Sequence, residues 1–337
     1  MRHILNTGQT HCYSDVGEQI NCHFSGQDAD LRIGVSWPTV RYKLQKEVVI
    51  DRLTGLAWTR NANIGTFPCT WQESFEKIRK LNQEYYGGYS DWRLPNRNEL
   101  RSLVSYQTKK PSLPDGNPFL NVFLGWYWSS TTAVINPAYA WSLHLEGARM
   151  FYGRKNQYQL FWPVRGQSAV LPATGQKKCY DESGHTIDCL DTGQDGELLL
   201  GNDWPRPRFT VESGVIHDRL TGLGWAAHSD MTGGSVSWPE AFDAVQQANR
   251  EKLDGLSSWR LPNINELTSL VDCSRHTPAL PKGHPVQGMK DGYWSSTTSF
   301  FETDWAWVLY LNKGACGVGH KPGNHFHVLP VTTLAFT

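Results

Sequence analysis

The densest set of metal-ligand residue types lies close to the C-terminal end of the sequence. One thiol and three imidazoles follow the pattern Cys-x3-His-x4-His-x-His, formed by Cys316, His320, His325 and His327. Thiolate and imidazole groups are ligands of zinc and copper, so this spacing is compatible with a transition-metal site. The alternative is that Cys316 forms a disulfide and that the histidines are exposed.

The chain is a tandem duplication, which allows this region to be compared with a second copy. Three segments recur after 166 or 167 residues: SDWRLPNRNELRSLV at 90–104 returns as SSWRLPNINELTSLV at 257–271, DRLTGL at 51–56 returns at 218–223, and YWSSTT at 127–132 returns at 293–298. A period this long indicates two complete domains rather than a solenoid. In the first copy the corresponding region contains Arg149, Arg154 and Lys155, so the duplicated fold needs no metal there. We therefore favour the disulfide at Cys316.

The pattern of each copy predicts an α+β fold. TWQESFEKIRKLNQ and its counterpart SWPEAFDAVQQANR are predicted helices, and the apolar residues of the first fall at helical spacing. In WRLPNRNEL, Asn96 is a favourable N-cap and Glu99 completes a capping box, so a second helix is predicted to begin there. Short strands are predicted for YWSSTT, AWSLHLEG, MFYG and FWPVRG. Two helices with several short antiparallel strands are typical of the α+β class.

The 337 residues are enough for two domains of ordinary size. No run of about 18 apolar residues is present in the sequence, so no membrane span is predicted. We divide the chain into a prelude hairpin at 1–46, a first domain at 47–166, a linker at 167–173, a second prelude hairpin at 174–213 and a second domain at 214–337.

Seven cysteines bear on the compartment. Two duplicated pairs flank a Gly-containing turn, as a disulfide that closes a hairpin would, and two further cysteines occur together in the second copy only. Disulfides persist outside the cytosol, so we expect an extracellular or cell-surface protein. The N-terminal residues lack the apolar core of a signal peptide, so an exported protein is expected to be a mature or truncated form. The predicted bridges are Cys12–Cys22, Cys179–Cys189 and Cys273–Cys316, with Cys69 left over.

The repeated WRLPNxNEL segment has a structural explanation. It packs an aromatic residue, turns at proline and caps a helix, so the fold alone accounts for its repetition. Arg93 and Arg260 lie between a Trp and a Leu, where a buried guanidinium needs a carboxylate or carbonyl partner. The alternative is a binding role for the motif. We favour the structural role, because charged residues are rarely enclosed without pairing.

Signatures of other chemistry are incomplete in the sequence. The serines of WSSTT have no nucleophile elbow, and no phosphate loop or nucleotide fingerprint is present. We therefore expect no cofactor and no enzyme activity. The remaining cofactor hypothesis is calcium, although the sequence contains no contiguous oxygen-rich loop. The candidate calcium ligands are Asp28, Asp51, Asp195 and Asp218, with Asn96 or Glu99.

A total charge of zero conceals an asymmetry between the two copies. Residues 1–166 hold 19 Lys and Arg against 13 Asp and Glu, a net charge of +6, and residues 167–337 hold 13 against 19, a net charge of −6. Because the total charge is zero and no nucleotide fingerprint is present, nucleic acid is not an expected partner. We expect an anionic glycan to bind the first copy, near Arg149, Arg154 and Lys155. The negative second copy is also expected to meet the positive first copy of another chain, head to tail.

The stretch GYSDWRLPNRNELRSLV, followed by YWSSTT and then WPVRG, resembles the C-terminal domain family of the Legionella collagen-like adhesin. The resemblance covers residues 47–166 and 214–332. It implies a ligand-binding module with a C-type-lectin-like fold, in the branch of the formylglycine-generating enzyme, and it implies binding of sulfated glycosaminoglycans. The second copy ends in PVTTLAFT rather than PVRGQ, so a role of Arg165 does not extend to it.

Two hypotheses about function follow. The leading one is a non-enzymatic adhesion or structural surface protein that binds glycan or protein partners. The alternative, suggested by the same resemblance, is an enzyme of the formylglycine-generating type with a thiol or metal site in the second repeat.

Overall fold

The computed structural model describes residues 3–334 and contains short helices and small antiparallel sheets, as expected for the α+β class. The strands of the first repeat are β1 (Cys12–Tyr13), β2 (Gln19–Ile20), β3 (Tyr42–Gln45), β4 (Val48–Asp51), β5 (Ala57–Thr59), β6 (Trp126–Thr132), β7 (Tyr139–His144), β8 (Arg149–Arg154) and β9 (Val164–Arg165). Its helices are α1 (Asp28–Leu31), α2 (Trp71–Gln83) and α3 (Arg97–Arg101), with a 3₁₀ turn at Tyr86–Gly88.

The second repeat has the same elements in the same order. Its strands are β10 (Cys179–Tyr180), β11 (Thr186–Ile187), β12 (Phe209–Glu212), β13 (Val215–Asp218), β14 (Leu223–Ala226), β15 (Gly292–Thr298), β16 (Trp305–Tyr310), β17 (Ala315–His320) and β18 (Val331–Thr333). Its helices are α4 (Asp195–Leu198), α5 (Trp238–Arg250) and α6 (Ile264–Ser269), with a 3₁₀ turn at Leu253–Gly255.

The helices begin where the sequence predicts them. At α2, the Thr70 side chain accepts a hydrogen bond from the Glu73 N–H, and the Glu73 carboxylate accepts one from Thr70. Asn96 and Glu99 form the same reciprocal pair at α3, which confirms the predicted capping box. Each box satisfies backbone N–H groups that a helix start otherwise leaves unpaired. The apolar residues of α2 that are buried in the core are Trp71, Phe75, Ile78 and Leu81.

Two small antiparallel sheets form the framework of each repeat. In the first repeat, β3, β4, β5 and β9 form a four-stranded sheet in that order, and β6, β7 and β8 form a three-stranded sheet. In the second repeat the sheets are β12-β13-β14-β18 and β15-β16-β17. The last strand of each repeat lies beside a strand near its start, so the two ends of each domain are tied together.

The repeated arginine of WRLPNxNEL has the carboxylate partner that we expected. Both terminal nitrogens of Arg93 donate to the Glu99 carboxylate at 2.7 Å, and Arg260 makes the same pair with Glu266 at 2.6 Å. Glu99 also caps α3, so one carboxylate orders the turn and neutralises the arginine. Bidentate pairs of this kind are the strongest hydrogen bonds between side chains.

The chain divides into two compact units, and each unit combines parts of both repeats. Unit 1 consists of the residues up to Ser36 together with Trp204–Val271 and the residues from His276 onward. Unit 2 consists of Trp37–Asp203 and Asp272–Arg275. We call residues 3–36 prelude 1 and residues 170–203 prelude 2, and we call 37–169 the first domain and the rest of unit 1 the second domain. Prelude 1 is therefore packed on the second domain, and prelude 2 on the first domain.

Prelude 2 is anchored on the first domain by buried polar contacts. The hydroxyl of Thr131 donates to Asp195 at 2.6 Å, and Thr174 donates to the same carboxylate oxygen at 2.7 Å. The Gln176 side chain accepts from the Thr132 N–H and donates to the Thr132 carbonyl, both at 2.8 Å. The amide group of Gln176 thus continues the hydrogen-bond pattern of strand β6.

The Asp195 carboxyl makes the stability of unit 2 depend on pH. Burial raises its pKa from 3.8 to about 6, although the hydrogen bonds from Thr131 and Thr174 oppose this shift. The folded state therefore holds a proton that the unfolded state releases, and stability falls as pH rises from about 4 to about 6. Asp195→Asn should remove this dependence.

The measurement is the melting temperature of wild type and variant across this pH range. We expect the wild type to lose stability relative to Asp195→Asn as pH rises, and a constant difference would contradict this assignment. Asp28 is the counterpart in prelude 1, and burial raises its pKa to about 7. The wild type should therefore also lose stability relative to Asp28→Asn as pH rises, and this loss should continue to about pH 7.

Candidate functional site

An open cleft of about 570 Å³ lies on the three-stranded sheet of the first repeat. Trp126 of β6 and Tyr152 of β8 are half-buried, and Tyr158 in the loop after β8 is exposed. Aromatic walls with a few polar groups are typical of sites that bind small ligands. The lining residues are Trp126, Ser142, Tyr152, Gly153, Gln157, Tyr158 and Gln159.

Two polar atoms of the cleft lining are buried without a partner. Ser142 is 1% exposed and Gln159 is 9% exposed. Within residues 3–334, neither Ser142 Oγ nor Gln159 Oε1 has a hydrogen-bond partner. An unpaired buried polar group costs about 1–3 kcal/mol, and folded proteins retain few of them. A ligand that donates a hydrogen bond to Gln159 and pairs with the Ser142 hydroxyl would remove this cost.

Neighbouring residues hold the walls of the cleft in place. The Tyr152 ring meets Trp141 edge to face, with centroids 5.3 Å apart, and the Trp126 ring meets His144 in the same way at 4.9 Å. A Cβ at Gly153 would overlap the Gln159 amide, so a larger residue there would displace this side chain. Packed rings therefore hold the Trp126 and Tyr152 walls of the cleft, whereas Tyr158 is exposed at its edge.

The second repeat fills the equivalent space. Strand register and backbone hydrogen bonds place Gly292, Val308 and Phe326 at the positions of Trp126, Ser142 and Gln159. The Phe326 ring packs against Trp294 with centroids 4.8 Å apart, and a Cβ at Gly292 or Gly319 would overlap it. The second repeat therefore folds with the apolar Phe326 ring in this space, so the fold does not require the polar cleft of the first repeat.

A second cavity of about 500 Å³ lies beside α5 in unit 1. Two of the polar side chains that line it have partners. Glu240 accepts hydrogen bonds from the Ser237 N–H and hydroxyl at the start of the helix, and Gln247 accepts from Arg250. This cavity therefore offers a ligand fewer unpaired groups than the cleft of the first repeat.

The predicted glycan ligands Arg149 and Arg154 lie close to the cleft. Both are exposed, at the two ends of β8. The Arg149 guanidinium lies 5.8 Å from the ring centre of Trp126, which lines the cleft, and Arg154 directly follows Gly153. Arg149 is therefore available to an anionic group on a ligand in the cleft, whereas the Arg154 guanidinium lies 5.8 Å from the ring centre of Tyr139, which is not part of the cleft lining.

Lys155 is not available, so the prediction that it binds a glycan is wrong. It is 1% exposed, and its Nζ donates to the carbonyls of Tyr180 at 3.1 Å and Asp181 at 3.0 Å in prelude 2. The same Nζ lies 4.0 Å from the ring centre of Trp71. Burial lowers the pKa of the amine to about 7. Lys155 anchors the prelude, and Lys321 has the same position in the second repeat.

Both prelude disulfides, Cys12–Cys22 and Cys179–Cys189, are present. The predicted Cys273–Cys316 bridge is wrong, because both residues are free thiols and each is buried in a different unit. Cys273 packs beside Arg97, whose guanidinium lies 3.9 Å from its sulfur, and burial raises the thiol pKa to about 12. Cys69 is also a buried free thiol, in the core of the first domain.

The structure does not bring the predicted metal ligands together. Cys316 is buried in β17, and His320 instead faces Asp304, with 3.5 Å between Nε2 and the carboxylate. His327 pairs with Asp230 at 3.2 Å, and the ring of His325 lies against Phe326. Within residues 3–334, no group of three or more His, Cys, Asp or Glu side chains is placed to hold a metal ion.

The candidate calcium ligands have structural partners instead. The Asp51 carboxylate pairs with Arg41, and Asp218 pairs with Arg208, in each case at 2.8 and 3.0 Å. Asp195 accepts hydrogen bonds from threonines of its own unit, as described above. Asn96 and Glu99 are committed to each other at the start of α3. These oxygens lie in separate hydrogen-bond networks.

Sequence reasoning missed the polar groups of the cleft, Ser142 and Gln159. A signal was present in the comparison of the two copies, where Ser142 is replaced by Val308 and Gln159 by Phe326. Changes from polar to apolar at aligned positions of a duplicated fold indicate that one copy uses the position for something besides packing. The sequence predicts Ser142 only as part of the strand AWSLHLEG, and Gln159 lies outside the predicted strands.

Comparison with known proteins agrees with this architecture. The Lcl C-terminal domain model matches the chain twice, at residues 47–165 and 214–332. No curated protein matches the chain. Within residues 3–334, no helix is long and apolar enough to cross a membrane. Since the two matches cover more than half of the sequence, the chain belongs to the Lcl C-terminal domain family, as a tandem pair of its domains.

Proposed function

We propose that the protein is a non-enzymatic, extracellular recognition protein that binds a glycan in the cleft of the first repeat. The observation that carries this proposal is the pair of buried, unpaired polar atoms, Ser142 Oγ and Gln159 Oε1, between aromatic walls. A sugar ring presents an apolar face to an aromatic ring and hydroxyl groups at its edge. Trp126 and Tyr152 suit the face, and the hydroxyls suit Gln159 and Ser142.

The charges beside the cleft favour an anionic glycan. Arg149 and Arg154 are exposed, and the planar guanidinium group matches sulfate and carboxylate groups in a bidentate manner. Unit 2, which contains the cleft, holds 20 Lys and Arg against 17 Asp and Glu, and this excess of three positive charges adds a longer-range attraction, which salt weakens.

The extracellular location and the fold type belong to the same proposal. Two disulfides and membership of a family named after an adhesin support export. The C-type-lectin-like fold implied by the sequence resemblance is supported by the α+β composition and by the return of the last strand to the first sheet.

The cleft can be closed with residue types that the second repeat already uses. The variant combines Trp126→Gly, Ser142→Val and Gln159→Phe; the glycine makes room for the new ring, as Gly292 does for Phe326. We expect the affinity for an immobilised sulfated glycosaminoglycan to fall at least about tenfold, or about 1.4 kcal/mol. The melting temperature should stay close to that of the wild type, because the second repeat is folded with this filling.

Two further variants separate the cleft from general charge. Arg149→Ala with Arg154→Ala should weaken binding and reduce its salt dependence. Lys282→Ala with Lys313→Ala removes two exposed charges of the second domain and should leave binding unchanged. A folded, closed-cleft variant that binds with wild-type affinity would show that the glycan binds elsewhere.

A further inference from the structure

Prelude 1 is docked on the second domain by polar contacts. The Gln9 side chain donates to the carbonyl of Thr298 at 2.8 Å and accepts from its N–H at 3.1 Å. Nζ of Lys321 donates to the carbonyl of Ser14 at 3.0 Å. Lys321 is 0% exposed, and its Nζ also donates to the Thr303 carbonyl of the second domain at 2.8 Å, so prelude 1 supplies part of the hydrogen bonds of this buried ammonium group.

Further contacts come from the repeated WRLPNxNEL segment of the second domain. Asn265 donates to the carbonyl of Leu5 at 2.8 Å, and Asn263 donates to that of Ile33 at 3.3 Å. The docking contacts join residues that are 230 to 308 positions apart in the chain. The same hydrogen bonds form whether prelude 1 and the second domain belong to one copy of the chain or to two copies.

The same docking surface exists in both units. Each domain presents a threonine pair at the end of YWSSTT, a buried lysine and two asparagines, and each prelude presents a glutamine, an aspartate and backbone carbonyls. In unit 2 the pairs are Thr132 with Gln176, Thr131 with Asp195, Lys155 with Asp181, Asn96 with Leu200, and Asn98 with Pro172. The surface therefore recognises a prelude by residue types that both copies share.

Each prelude is also held together by its own bonds. In prelude 1 the Cys12–Cys22 disulfide closes the hairpin, and the Gln27 side chain pairs with both the N–H and the carbonyl of Tyr13, at 3.1 and 3.0 Å. Its two ends meet in a bridge between Leu5 and Val35. A segment that is ordered before docking loses little conformational entropy when it docks.

We propose that prelude 1 of one copy docks on the second domain of another copy, so that the protein assembles head to tail by prelude exchange. Along the chain, prelude 1 precedes the first domain, whose docking surface is filled by prelude 2. The surface that accepts prelude 1 lies on the second domain, about 230 or more positions further on. In every copy, prelude 1 and the docking surface of the second domain are therefore complementary but distant in sequence.

Protein concentration decides between the closed and the exchanged forms. Docking within one copy is favoured in dilute solution by the effective concentration of linked segments. At high local concentration the exchanged contact competes, since it is made by the same residues. The contact is heterologous, so it builds an open chain of copies unless the geometry closes a ring.

Two full-length variants distinguish docking between copies from docking within one copy. The prelude variant carries Gln9→Ala and Asp28→Ala, and the surface variant carries Asn265→Ala and Lys321→Met. Neither can complete the contact within a single copy. Mixed together, the intact prelude of the surface variant can dock on the intact second domain of the prelude variant. We expect each variant alone to sediment as a single chain and the equimolar mixture to give a complex of two chains and nothing larger.

A mixture that contains only single chains at the highest soluble concentration overturns the proposal, and so does association of either variant alone. Gln176→Ala with Asp195→Ala is the matched control; it leaves prelude 1 and its surface intact and should associate as the wild type does. Should the variants fail to fold, wild-type chains with two different tags are incubated together at high concentration. Recovery of both tags in one complex supports exchange, and their complete separation overturns it.

Discussion

Replacing Trp92 with alanine is expected to unfold unit 2 at a cost of about 3–5 kcal/mol, rather than only to remove a binding contact. Trp92 is 2% exposed within the core of the first domain. Its indole N–H donates to the Tyr86 carbonyl at 2.9 Å. The Asn82 side chain holds the backbone N–H and carbonyl of Trp92, at 2.7 and 2.8 Å. Alanine leaves a large cavity and removes one of the two hydrogen bonds that the Tyr86 carbonyl accepts, the other coming from the Tyr89 N–H.

Hydrogen exchange read by peptide assigns this loss to a unit. Protection should fall throughout unit 2, and the equivalent Trp259→Ala should lower protection in unit 1, where Trp259 makes the same bonds with Leu253 and Asn249. A Trp92→Ala protein with unchanged protection and lost ligand binding would instead establish WRLPNxNEL as a binding motif.

Asp51→Ala is expected to have a comparable effect, a loss of about 3–5 kcal/mol in the stability of unit 2, because it strands a buried guanidinium. Asp51 is 0% exposed and Arg41 is 6% exposed. The carboxylate accepts from two nitrogens of Arg41, at 3.0 and 2.8 Å, and from the Leu53 N–H and the Thr54 hydroxyl, both at 3.0 Å. Removing it breaks four hydrogen bonds, although Arg41 Nη2 keeps the one that it donates to the Ser102 carbonyl at 2.6 Å.

A double variant tests whether the stranded charge is the cause. Adding Arg41→Met to Asp51→Ala removes the guanidinium, so chemical denaturation should show the double variant to be more stable than Asp51→Ala alone. A double variant less stable than the single one would mean that the hydrogen bonds to Leu53 and Thr54 dominate. Asp218→Ala provides the matched change in unit 1, where Arg208 is the partner.

The sequence by itself determined the features that depend on residues close together in the chain. The capping boxes at Thr70 and Asn96 need only a partner three residues on, so both could be read directly. The Arg93–Glu99 pair spans six residues, and the Cys12–Cys22 bridge closes a ten-residue separation. The α+β class followed from the helical spacing and the short strand segments within each copy, and the duplication predicted two domains.

Tertiary structure alone decided which of the candidate side chains are exposed and which line the cleft. Lys155 belongs to a strongly basic stretch, yet it is buried because prelude 2 covers it, and that contact joins residues 25 or more positions apart. Cys273 and Cys316 belong to the same repeat of the sequence but to different units of the fold, because the chain between them passes from one unit to the other. Burial also made Ser142 and Gln159 significant, since a polar group in a strand is unremarkable until its partners are excluded. The docking of each prelude on the domain of the other repeat had no local signal, because the residues that form it are ordinary in sequence and complementary only when packed.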